Sequence, residues 1–203
     1  MKKKKWMYFV FISVIAALLM AAAWWIAAGA INPAMRTPST DLSREAFHGM
    51  RIGDSIESKA FVRRFGKPIP RAQKDRKLVY YSWKGGLVTA SKKAEPHKGR
   101  IAAFYLLKMQ RVRLGNVFSD PLPALPSFSF RPSNPLKTYR EIQIGDSKEQ
   151  VIRHYGTDYY SFNIREGGQI IGYVDHKNEM KLEFNMNKHA QVQSIRLAEE
   201  GMK

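Results

Sequence analysis

The tetrapeptide Ile-Gly-Asp-Ser occurs twice in this chain, at Ile52–Ser55 and at Ile144–Ser147. No other feature constrains the fold as strongly, because like residues follow both copies. After the first comes Phe61-Val62-Arg63-Arg64-Phe65-Gly66, and after the second Val151-Ile152-Arg153-His154-Tyr155-Gly156. The first copy holds two extra residues after its serine. A turn, a short helix with one apolar face and a glycine stop are therefore each used twice. Gly53 and Gly145 suit a tight turn with positive φ. Asp54 and Asp146 read as helix N-caps, with Glu57 and Glu149 three residues on to complete a capping box. In the second copy Ser147 with Gln150 offers another register for the same device. Gly66 and Gly156 read as the C-terminal stops. On this reading the two aspartates cap helices and carry no chemistry.

Strand patterns follow each helix. In the second copy Tyr159–Ile164, Ile170–Asp175, the alternating segment Glu179–Met186 and Gln191–Leu197 are separated by turn residues. In the alternating segment Met180, Leu182, Phe184 and Met186 share one face, and Glu183 is expected to point to solvent. The first copy offers Leu78–Trp83, Leu87–Ser91 and a strand from Arg100 onward. Successive hairpins of this kind make a meander, and the short helix is the available cover for one sheet face. The expected fold class is α+β, with two repeated units, each a short helix packed on an antiparallel β-meander, at 43–114 and 138–203. The segment 115–137 between them is rich in Pro and Phe and cannot be helical. It is either an extended connector or a segment wrapped over a sheet through Phe118, Phe128 and Phe130.

A short capped helix ending in aromatic-Gly and followed by a meander, in tandem, resembles the β-lactamase-inhibitor-protein repeat and the related SmpA/OmlA (BamE-like) envelope proteins. The residues that carry the resemblance are Gly145-Asp146-Ser147, Val151, Tyr155-Gly156 and the strands after them, with a weaker match from Gly53 to Gly66. The chain also resembles uncharacterised single-pass membrane proteins of Gram-positive bacilli. The resemblance implies a non-catalytic, extracytoplasmic, protein-binding scaffold. The chain departs from the lipoprotein members in having no anchoring cysteine.

The N-terminus speaks to location. Lys2–Lys5 precede a run from Trp6 to Met35 without a charged residue, long enough for the ~20 apolar residues a bilayer core requires. Residues 6–31 are expected to form a transmembrane signal anchor, with 1–5 as a cytoplasmic tail, 32–42 as a linker and the remainder extracytoplasmic, by the positive-inside rule. Cleavage after Ala28-Gly29-Ala30 is the rival reading.

The chain carries 34 Lys and Arg against 17 Asp and Glu, a net charge of +17. Setting aside the four cytoplasmic lysines leaves 30 against 17, or +13, outside the cell. An excess of this size suits a polyanionic partner. The expected location makes that partner an anionic wall polymer or an envelope protein, beside the membrane itself, and excludes nucleic acid. Exposed aromatics interleaved with cations, namely Tyr80, Trp83, Tyr159 and Tyr160 with Lys74, Arg76 and Lys77, form the candidate binding face.

Catalytic signatures are missing from the sequence. With no cysteine there is no disulfide, thiol nucleophile or lipidated anchor. The five histidines have no metal-ligand spacing, and no nucleophile elbow, phosphate loop or dinucleotide fingerprint occurs. No cofactor and no metal are expected. The functional expectation is a membrane-anchored extracytoplasmic binding module, the alternative an envelope hydrolase with an unrecognised carboxylate site.

Overall fold

The structure, a computed structural model, describes residues 14–15, 17–21, 24, 32–67, 69–70, 77–83, 86–107, 136–164 and 167–200. The chain divides into two compact units, 1–37 and 38–203. In the first unit residues 14–15, 17–21 and 24 are helical, and Pro33–Arg36 form a 3-10 turn. Most of the expected anchor, 6–31, lies outside the described residues. Among those described, no helix is long and apolar enough to cross a membrane.

Among its described residues the second unit holds two helices, α1 (Lys59–Phe65) and α2 (Lys148–Tyr155), and eight strands. The strands are β1 (Ile69–Pro70), β2 (Leu78–Ser82), β3 (Leu87–Lys92), β4 (Ile101–Leu107), β5 (Tyr160–Asn163), β6 (Gln169–Asp175), β7 (Met180–Met186) and β8 (Val192–Glu199). All pair antiparallel in the order β1-β2-β3-β4-β8-β7-β6-β5. The two meanders are thus not two sheets. They join edge to edge through β4 and β8, with Ala103 opposite Ala198, Tyr105 opposite Arg196 and Leu107 opposite Ser194.

The repeat is visible in the backbone. Gly53 donates to Ile101 O at 2.8 Å, and Gly145 to Val192 O at 2.8 Å. Each glycine has positive φ, +88° and +98°, a conformation that other residues adopt only under strain. The expected caps, however, are displaced. Ser58 and Ser147 cap the helices, their hydroxyls accepting from Phe61 N at 3.2 Å and Gln150 N at 3.3 Å. Gln150 returns the bond to Ser147 N at 2.8 Å. Asp54 and Asp146 instead stand before the helices and close the preceding turns, accepting from Arg51 N and Gln143 N, each at 2.8 Å. The serine wins because its extended backbone aims the hydroxyl at the third residue's N–H. In the first copy Ser55 pairs with Arg100 and Ser58 does the capping, so two tasks that Ser147 performs alone are divided between two serines. Gly66 and Gly156 close the helices, donating to Val62 O and Ile152 O.

The main core lies between the helices and one sheet face. Phe61, Phe65, Val151 and Tyr155 from the helices meet Phe104, Tyr173, Leu182, Phe184 and Ile195 from the sheet, joined by Phe47 and Leu42. The opposite face is buried as well. Tyr80, Val88, Ala90, Ala103, Tyr105, Leu107 and Ala198 cluster there, beside the buried polar residues Glu183, Asn185, Ser194 and Arg196. Alternation correctly sends Glu183 away from Leu182 and Phe184, but not to solvent. It is 3% exposed and accepts from Arg196 Nη1 at 3.0 Å and Tyr160 Oη at 2.7 Å. The Tyr160 ring crosses β6 over Gly172, where a Cβ would lie 2.0 Å from the tyrosine Cζ.

The segment expected as linker is partly tied down. Thr40 N donates to Val174 O at 2.7 Å, Leu42 N to Asp175 Oδ2 at 2.8 Å, and His176 N to Ser39 Oγ at 3.1 Å. Asp175 also accepts from Lys177 N, Asn178 N and Asn178 Nδ2. Its carboxylate therefore joins the start of the unit to the β6–β7 turn.

Candidate functional site

The aromatic binding face expected from sequence is not exposed. Tyr80, Trp83 and Tyr160 are each 6% exposed, and Tyr159 is half-buried against the core. Trp83 packs edge-on against Phe61 and donates to Thr89 Oγ1 at 2.9 Å, so it serves the core. Tyr80 belongs to the cluster on the opposite sheet face, and Tyr160 to the Glu183–Arg196 network. Burial and the Glu183 charge push the Tyr160 hydroxyl up, well clear of ionisation. Lys74 and Arg76 lie outside the described residues, and Lys77 is exposed at the start of β2. The five of these residues that are described do not form one exposed surface.

It forms a groove elsewhere, about 840 Å³ in volume, where the segments that precede the two helices meet. Arg44, His48 and Arg51 come from the first of these segments, and Lys137, Tyr139, Glu141 and Gln143 from the second. Both are small hairpins, closed by the bridges Phe47–Met50 and Lys137–Gln143. Arg51 and Gln143 hold equivalent places, since each donates its N–H to the aspartate of its own Ile-Gly-Asp-Ser. Arg44 and Arg51 are exposed and form no salt bridge among the described residues. Lys137 pairs with Glu141 at 2.9 Å. His48 sits in the tight turn with φ +52°, held by Arg64, which donates to its carbonyl at 2.8 Å.

Behind this wall lies a buried carboxyl. Glu45, between the groove residues Arg44 and Ala46, is 3% exposed. Arg140 Nε stands 3.5 Å from Glu45 Oε1, while the same guanidinium donates to Asp41 O at 2.8 Å and His154 O at 3.0 Å and lies over the Tyr155 ring. Burial drives the Glu45 carboxyl up to about 7, against the opposing pull of the Tyr155 hydroxyl, Arg140 and Tyr139 N–H. Among the described residues no three His, Asp or Glu side chains are grouped to hold a metal.

The sequence did not mark these cations. Arg51 stands just before the first Ile-Gly-Asp-Ser and Gln143 just before the second, so the repeat itself flanks the groove, but nothing local shows that the two segments meet.

No protein-family model matches the chain, the tandem-repeat families named above included, and no curated protein matches it. Among solved structures it is similar to a DUF4309 family protein (YjgB) from Bacillus subtilis subsp. subtilis str. 168. The likeness has 13% identity and a TM-score of 0.35, and covers 70% of this chain and 76% of that one.

Proposed function

We propose that this protein is a membrane-anchored, extracytoplasmic, non-catalytic binding module whose groove takes an anionic envelope ligand, either a wall polymer or an acidic protein segment. The observation that carries the reading is the groove itself. Two equivalent hairpins bring Arg44, Arg51 and Lys137 together, and only Glu141 answers them with negative charge at the lining. Cations gathered in a concave wall focus the field and raise the local concentration of anions. The excess of basic residues over the rest of the chain adds long-range attraction. Anchoring is supported by the described helical residues of the first unit. Val14, Ile15, Leu18, Leu19, Met20 and Trp24 are 44–72% exposed and point in all directions around the helix, the pattern of a helix meant for lipid.

The test uses the full chain in non-ionic detergent and an oligomer of glycerol phosphate as probe. Binding should weaken steeply as salt rises, since exposed charges are screened over ~8–10 Å near physiological ionic strength. Reversing Arg44 and Arg51 to Glu should cut affinity at least ten-fold. Reversing Lys98 and Lys188, exposed elsewhere, should cost far less. Equal losses would show a diffuse charge effect with no site, and sink the groove reading.

A further inference from the structure

The Glu45 carboxyl is placed where a ligand of the groove would feel it. It lies behind the wall, with Arg44 and Ala46 on either side in sequence and Tyr139 N–H as a hydrogen-bond partner, and all three residues line the groove. Charged and titratable groups face it from each neighbouring element. Asp41 is in its own segment, Arg140 in the hairpin before α2, and Tyr155 at the end of α2. Among the described residues Arg140 is its one cation within 4 Å, and that guanidinium is shared with two backbone carbonyls. The Tyr155 hydroxyl is shared too, donating to Thr138 Oγ1 at 2.9 Å. A carboxylate at this place is thus only partly compensated, and its uncompensated charge acts on the groove.

Building on the groove reading above, we infer that Glu45 controls the strength of anion binding there: its carboxylate and the bound anion compete for the same cationic field of Arg44, Arg51, Lys137 and Arg140. The competition makes binding proton-linked. When Glu45 is protonated, the Arg140 charge is no longer offset and the groove attracts anions more strongly. When it is ionised, the attraction weakens. The Glu45 carboxyl, raised by burial, makes this exchange near neutrality. By linkage, an anion that binds better to the protonated form must pull a proton onto the protein. One unit charge behind the groove wall, partly screened by water, changes affinity about five-fold. His48 lines the groove as well, and the charge of its imidazole must be separated from that of Glu45.

The experiment measures binding of a glycerol phosphate oligomer, whose phosphodiesters keep their charge across the range, to the full chain in non-ionic detergent at pH 5.5 and 8.5. The His48→Gln variant should still lose about five-fold in affinity at the higher pH. Adding Glu45→Gln should abolish that loss and leave tight binding at both pH values. If the double variant keeps the same loss, the inference is overturned. Should Glu45→Gln impair folding, calorimetry of the His48→Gln chain at pH 7 in two buffers of different protonation enthalpy gives the answer without it. Proton uptake on binding supports the inference, and none overturns it. Reversal of Arg44 and Arg51 separates the two readings. If that reversal leaves binding unchanged, the groove reading fails. If it abolishes binding while Glu45→Gln changes nothing, only the control by Glu45 fails.

Discussion

Tyr105 and Arg196 stand opposite each other on β4 and β8, with the guanidinium carbon 5.7 Å from the centre of the tyrosine ring. They are also counterparts in the repeat. Ile101 and Val192 each exchange backbone hydrogen bonds with the Gly-Asp of their own turn, and Tyr105 and Arg196 lie four residues beyond them. A pairing of counterparts is where the local two-fold axis of the duplicated sheet must pass. The two repeats differ at this point, one giving an aromatic ring and the other a cation.

Arg196 should therefore be sensitive to truncation. It reaches Glu183 at 3.0 Å with both side chains at 6% exposure or less. Removing one member of a buried pair strands the other charge and costs about 3–5 kcal/mol. Arg196→Met should show a loss of that size in urea unfolding. Arg196→Met with Glu183→Met should recover most of it, because no charge is then left unpaired. A double variant as unstable as the single one would show that the pair does more than satisfy itself.

Gly172 gives room to Tyr160. With a Cβ 2.0 Å from the ring, Gly172→Ala must displace the tyrosine from Glu183, at a cost of about 1–3 kcal/mol. In a Tyr160→Ala background the same change should cost much less, since the ring is gone. Additive losses in the thermodynamic cycle would refute this account.

The turn before α2 separates three contributions. Ser147→Ala should cost about 1 kcal/mol as a lost cap, and Ser58→Ala a similar amount in the first copy. Asp146→Ala loses the bond to Gln143 N, about 0.5–1.5 kcal/mol. Gly145→Ala meets no atom within 4 Å, so its penalty of about 1–2 kcal/mol comes from positive φ alone. If Ser147→Ala proves neutral while Asp146→Ala melts α2, the aspartate is the cap after all.

Two carboxyls tilt stability in opposite directions with pH. Burial alone would raise the Asp175 carboxyl, but donors from Asn178, Leu42 and Lys177 outweigh it and hold it below its ordinary value. Its contribution is present above the unfolded value of ~3.9 and is lost as pH falls through the folded one. Glu45 works the other way. Raised to about 7, it contributes stability that is full below its unfolded value of ~4.3 and is lost as pH rises through 7. Stability should hence peak between these ranges. Asp175→Asn should reduce the loss in acid, and Glu45→Gln the loss on raising the pH from ~4.3 to about 7. A Glu45→Gln chain whose melting temperature still falls across that range as the parent's does would contradict the assignment.

The elements were legible because they are local. The spacing Val151, Ile152, Tyr155 marks a helical face, and Leu182, Phe184, Met186 mark a strand face. Ser147 with Gln150 is one of two capping registers the sequence offers, beside Asp146 with Glu149, and the structure takes the serine. What the sequence hides is what meets across distance. Alternation puts Glu183 on the far face of β7, yet only the sheet order brings Arg196 and Tyr160 to it. The choice between Asp and Ser as cap depends on backbone geometry that both residue types permit. The groove is hidden for the same reason, since Arg51 and Gln143 come from segments on opposite sides of the connector. The aromatics after each helix misled because alternation implies an outward face, and in this sheet both faces are buried.

The seam between β4 and β8 bears on what the chain avoids. A repeat standing alone would end its sheet on a full-length strand with free N–H and C=O groups, complementary to another copy of itself under two-fold rotation. Such a half-chain would stick to its like. Here the second repeat fills that edge from within the same polypeptide. The outer edges left to the described sheet are β1, two residues long, and β5, four residues long with Ser161 and Asn163 exposed, both poor templates for further strands. The duplication thus acts as a self-supplied plug against sheet-to-sheet aggregation.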